Sequence, residues 1–179
     1  ISAPAVTYSY EKITLATPSN LSVSGSVISW NAVAGENISY IVNINGTDYA
    51  ATTNSLNLSD VSISAQMGDT LQITVTCTNG NSLSAVSDTL TVNYGVFGGE
   101  LSYAENTLSW SAVAGMEGQF EVKVGSSAPI TVPGTSTAIT FAEAGNVTVS
   151  VCFVSKNGSR SETKTITLKV NTITLDPQM

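Results

Sequence analysis

Apolar and polar residues alternate along this chain with a period of two, in short runs separated by turn-forming clusters. Leu71, Ile73, Val75 and Cys77 share one side of such a run, with Gln72, Thr74 and Thr76 on the other. Tyr40, Val42 and Ile44 form a second apolar row, and Val147, Val149, Val151 and Phe153 a third. Alternation of this kind puts successive side chains on opposite faces of a strand, one buried and one wet. The runs predict strands near 20–24, 27–31, 39–45, 47–50, 55–58, 70–78 and 88–94, then near 101–104, 107–111, 119–124, 129–132, 138–141, 146–155 and 163–170. Asn45-Gly46, Asn79-Gly80 and Asn157-Gly158 predict tight turns at loop tips, because Asn and Gly tolerate positive φ. Seven short strands in about 80 residues is the count of a sandwich. The expected fold class is all-β, two tandem antiparallel seven-stranded β-sandwiches.

The duplication is visible in the residues. Leu21-Ser22-Val23 through Ile28-Ser29-Trp30-Asn31-Ala32-Val33-Ala34-Gly35 recurs as Leu101-Ser102-Tyr103 through Leu108-Ser109-Trp110-Ser111-Ala112-Val113-Ala114-Gly115, at an offset of 80. Tyr40-x-Val42-x-Ile44 and Phe120-x-Val122-x-Val124 keep that offset. Leu71, Ile73 and Val75 match Val147, Val149 and Val151 at an offset of 76, so the drift falls where loops are expected. The division that follows is an N-terminal strand or remnant of a preceding module at 1–12, domains at 13–95 and 96–172, and a tail at 173–179. Ala5-Val6-Thr7-Tyr8-Ser9-Tyr10 resembles Thr89-Leu90-Thr91-Val92-Asn93-Tyr94, the last strand of the first repeat. Glycines at 95, 98 and 99 suit a limited hinge between the domains, and Phe97 suits docking.

A Trp followed by a small-residue corner, and then Tyr or Phe with alternating Val or Ile, resembles a fibronectin type III module. The stretch at 15–49 looks especially like modules of secreted and surface proteins of Gram-positive bacteria. The resemblance covers residues 13–94 well and 96–171 less well. It implies an Ig-like sandwich with no catalytic residues, in an extracellular or cell-surface setting, serving for spacing, adhesion or carriage of other domains. Where the family often has a Tyr early in its sixth strand, this chain has Leu71 and Val147, which leaves a looser Ig-like assignment open.

Composition narrows the chemistry. Charged residues make up 11% of the 179, well below the usual quarter, and the formal charge is −7. Residues 1–95 carry six acids and one base, Lys12; residues 96–179 carry seven acids and five bases. Neither half offers a basic stripe, so no nucleic-acid partner is expected. No stretch approaches the ~20 apolar residues of a membrane span, so membrane insertion is not expected either. The start at Ile1, with neither a basic nor an apolar signal segment following, suggests a monomeric fragment of a longer chain. Cys77 and Cys152 fall in different repeats and on opposite faces by alternation, which predicts two free thiols, Cys77 in the core and Cys152 partly exposed.

The chain has no His, which removes the commonest general base and zinc ligand. Ser9-Tyr10-Glu11-Lys12 matches a Ser–Lys acyl-enzyme string but reads as chance in a Ser-rich linker. The acids Glu36, Asp48, Asp60, Asp69 and Asp88 are scattered singly near turns, unlike the paired carboxylates of a glycosidase. No calcium-loop pattern appears, and no cofactor is expected. The Asn-x-Ser/Thr matches at Asn20, Asn37, Asn45, Asn57, Asn146 and Asn157 carry no weight. A crosslink from Lys123 or Lys169 to a neighbouring Asn would need a buried acid beside it. Trp30 and Trp110 read as core anchors rather than a sugar platform, while Tyr8, Tyr10, Tyr49 and Tyr103 are expected to be partly exposed. The candidate ligand loop is Lys156, Asn157, Gly158, Ser159 and Arg160, a cationic tip in an acidic chain, with a protein or a surface glycan as partner.

Overall fold

The computed structural model describes residues 14–142 and 144–171. The Ser9–Lys12 string, the strand remnant with Tyr8 and Tyr10, and the tail at 173–179 lie outside the described residues. The first seven strands are β1 (Ser22–Ser24), β2 (Val27–Ser29), β3 (Ser39–Ile44), β4 (Thr47–Ala51), β5 (Ser55–Asn57), β6 (Thr70–Thr78) and β7 (Leu90–Asn93), with one 3₁₀ turn at Leu58–Asp60. They form a sheet in the order β1-β2-β5 and a second in the order β4-β3-β6-β7, antiparallel throughout. The next seven are β8 (Ser102–Ala104), β9 (Thr107–Ser109), β10 (Gly118–Val124), β11 (Ile130–Val132), β12 (Ser136–Ala138), β13 (Gly145–Ser155) and β14 (Lys164–Val170). They repeat the plan as β8-β9-β12 and β11-β10-β13-β14. Both halves are thus antiparallel β-sandwiches of seven strands, as the alternation predicts.

Each sandwich closes over its own core. Ile28, Trp30, Tyr40, Val42, Ile44, Leu58, Leu71, Ile73, Val75, Cys77 and Val92 are buried together in the first. Phe97, Leu108, Trp110, Phe120, Val122, Ile139, Val149, Val151 and Phe153 fill the second. Both tryptophans are core residues, each edge-on to the aromatic at the equivalent position of the third strand: Trp30 to Tyr40 at 5.2 Å and Trp110 to Phe120 at 5.3 Å. The indole nitrogens of both are buried with no hydrogen-bond partner among the described residues.

Several expectations are corrected. Cys152 is buried, not partly exposed, at 5% exposure. It does face away from the core, but the segment after β13 folds back over it, and its Sγ donates to the Ser161 carbonyl at 3.4 Å. Both thiols are free. The strand expected at 138–141 is β12 at Ser136–Ala138. The apolar residues beyond it cap the sandwich instead: Ile139 enters the core, and Phe141 packs edge-on against Tyr103. Of the three Asn-Gly pairs, Asn45-Gly46 alone has both residues at positive φ, 50° and 88°, as a two-residue β3–β4 turn requires. At the other two only the glycine does so, and the Asn carbonyl oxygen accepts from backbone N–H groups further along the loop. Glu105-Asn106, unmarked by the motif, takes the two-residue turn between β8 and β9.

Strand β7 is shorter than the run at 88–94 suggests, because the preceding segment leaves the ladder. Ser84 and Ser87 stand in for it: each backbone N–H donates to β6, and each hydroxyl accepts from a β6 N–H, Ser84 from Cys77 and Ser87 from Val75. Three residues thus span two on β6, which turns Leu83 and Val86 outward at 64% and 60% exposure.

Candidate interaction surface

The candidate ligand loop is the hairpin between β13 and β14, pinned by the Val154–Arg160 bridge. Asn157 accepts from the Ser159 N–H, and Ser155 Oγ donates to Asn157. Both cations of the tip are engaged within the chain. Lys156 Nζ lies 3.2 Å from Glu117 Oε2, and the Arg160 guanidinium makes a two-pronged contact with the Glu121 carboxylate. Each carboxyl is held below the usual carboxylate range. For Glu117 the largest cause is the Asn57 amide, followed by Lys156; for Glu121 it is Arg160. Arg160 is raised in turn, first by its bond to Glu121.

Glu117 is the residue that sequence reasoning misses. It follows the small-residue corner Ala112-Val113-Ala114-Gly115, and its Oε1 accepts from Asn57 Nδ2 of the first sandwich at 3.1 Å. Its backbone carbonyl accepts from the Lys156 N–H at 2.9 Å. Asn57 is held for this role at the start of the 3₁₀ turn, where its own Oδ1 accepts from the Ser59 N–H. Partners 60 residues apart leave no local pattern to read.

The loop therefore sits at the meeting of the two sandwiches rather than at a free end. Two open clefts flank this meeting. One, of about 700 Å³, runs past Ile63, Met67, Tyr94, Lys156, Asn157 and Ser159. The other, of about 780 Å³, lies on the far side of Glu117 beside Gly25, Ser26, Val113 and Gln119. Burial at this place raises the Tyr94 phenol above its ordinary value.

Among the described residues no group of three or more Cys, Asp or Glu is placed to hold a metal ion. Lys123 and Lys169 are exposed, and no acid among the described residues is buried. Tyr49 and Tyr103 are half-buried; Tyr49 Oη donates to the Ser62 carbonyl at 2.7 Å. No described helix is long and apolar enough to cross a membrane.

No protein-family model matches the chain, and no curated protein does. Solved structures similar to it include the FN1–FN3 domains of chicken CNTN1, 16% identical with a TM-score of 0.38, the match covering 90% of this chain and 70% of that one. Another is the alpha chain of the chicken interferon gamma receptor, 15% identical with a TM-score of 0.39, covering 86% and 98%.

Proposed function

We propose that the chain is a non-catalytic structural segment of a secreted or cell-surface protein, in which fibronectin type III-like modules at 13–95 and 96–172 space or present what flanks them. The observation that carries this reading is the meeting of two complete sandwiches at a short, hydrogen-bonded junction, Gly95 N–H to Ala114 carbonyl at 2.9 Å and Gly115 N–H to Gly25 carbonyl at 2.7 Å. Two cores that each close on their own, joined in series along one chain, are what a spacer needs, whether or not the pair is rigid. The residue pattern around Trp30 and Trp110 supports the family, and the lack of His supports a non-enzymatic role.

A second reading, recognition of a protein or glycan, is favoured by the cleft beside Tyr94, Lys156, Asn157 and Ser159. A glycan array and a pull-down with the intact chain, and with Lys156–Arg160 replaced by a Gly-Ser turn, separate the two. The spacer reading expects no specific capture by either protein. Capture by the intact chain that the loop replacement abolishes would overturn it in favour of recognition.

A further inference from the structure

The two modules diverge most in their loops, and the structure gives that divergence a use. In the first sandwich the corner at Val33 is tied down internally, because Tyr40 Oη accepts from the Val33 N–H at 2.9 Å. The equivalent of Tyr40 in the second is Phe120, which has no hydroxyl to offer. The second corner is instead tied to the first sandwich. The Gly115 N–H reaches the Gly25 carbonyl, the Ala114 carbonyl takes the Gly95 N–H, and Ala114 packs against the first core. Gly115, at φ 85°, lies flat against Tyr94; a β-carbon there would stand 2.6 Å from the ring. From the other side Met67, on the first sandwich, packs against the second core together with Met116. Ala114 and Gly115 repeat Ala34 and Gly35, but the positions equivalent to Met116 and Glu117 are Glu36 and Asn37, both exposed, so these two docking side chains belong to the second copy alone.

We infer that the corner at Ala114–Glu117, with Lys156 behind it, is an interaction surface whose partner is the first module, and that Glu117 bridging Asn57 and Lys156 locks the pair into one rigid body. One cation of the loop, Lys156, is then engaged beside the junction, and the other, Arg160, within the second module. A glycine-containing linker, Gly95 to Gly99, would otherwise leave the modules free to swing. Lys156, 80% exposed, contributes less to the lock than Asn57, because the bond from Asn57 to Glu117 crosses the junction and the pair of Lys156 with Glu117 does not.

The test is residual dipolar coupling of the full chain in a weakly aligning medium, comparing amides at 14–94 with amides at 97–171. In the wild-type protein both sets are expected to fit a single alignment tensor. Asn57→Asp keeps the acceptor for the Ser59 N–H but sets a second carboxylate against Glu117. Gly115→Ala drives a methyl group into Tyr94. Each is expected to split the fit into two tensors, while the amide spectrum of each module retains its dispersion. Lys156→Ala is expected to preserve one tensor. Two tensors in the wild type, or one tensor in both junction variants, would overturn the inference. Neither outcome bears on whether the chain captures a ligand, so the lock and the spacer reading fail separately.

Discussion

Phe120 occupies the centre of the second core, with Phe97, Trp110 and Phe153 all packed at ring separations of 5.3 to 5.4 Å. Removing it deletes two edge-on ring contacts and one tilted one and leaves a cavity between the packed strands. Phe120→Ala is expected to destabilise the second module by about 3–5 kcal/mol, read from its urea transition. The role of this position was legible, since Phe120 repeats Tyr40 in an alternating run. That the lost hydroxyl frees a corner to dock elsewhere was not, because the partner of the hydroxyl in the first module is a backbone N–H seven residues away. Cys152 shows a related limit. Alternation assigns a side chain to a face, but says nothing about whether a loop later covers that face, as Ser161 and Arg160 do here.

At the scale of elements, the long strands were the easiest to read. β6 spans Thr70–Thr78, the bounds the alternation predicts, because nine residues of strict period two admit no competing pattern. Shorter pieces were less legible, since apolar residues that cap a sandwich, such as Ile139 and Phe141, resemble the strand they follow. The serine-supported segment before β7 was hidden for another reason: its period is three, set by two hydroxyls that replace ladder bonds. Ser87 is buried, and its Oγ is the acceptor for the Val75 N–H at 2.9 Å. Ser87→Ala leaves that N–H without a partner in a closed core, at an expected cost of about 1–3 kcal/mol. Faster hydrogen exchange at the Val75 amide, with the β13–β14 amides unchanged, is the measurement that checks it.

For the whole molecule, acid is the condition that probes the ion pairs. Among the described residues these are Lys156–Glu117 and Arg160–Glu121, both in the second module or at its border with the first. Both carboxyls lie below their ordinary value of 4.5 in the folded chain. A depressed carboxylate contributes stability that is present above its unfolded pKa and lost as pH falls through its folded one. Stability of the second module is therefore expected to be level above 4.5 and to fall below it, with Glu117→Gln and Glu121→Gln each flattening the slope. Urea midpoints near neutrality and at about pH 3 give the comparison. Charge counting had placed the bases in the second half of the chain. What they pair with depends on register across β10 and β13 and on a neighbour from the other sandwich, which no composition reveals.

The short ladder of β7 has a mechanical meaning. β7 is held to β6 by four paired positions, whereas β14 is held to β13 by seven. A load carried along the backbone shears these terminal strands against their neighbours. On ladder length alone the first sandwich is expected to yield before the second, an order that pulling single molecules of the full chain checks; simultaneous unfolding would show that the Ser84 and Ser87 bonds make up the difference. In a protein under tension, the copy with the serine-supported edge is expected to be the extensible link and the copy with the longer ladder the anchor.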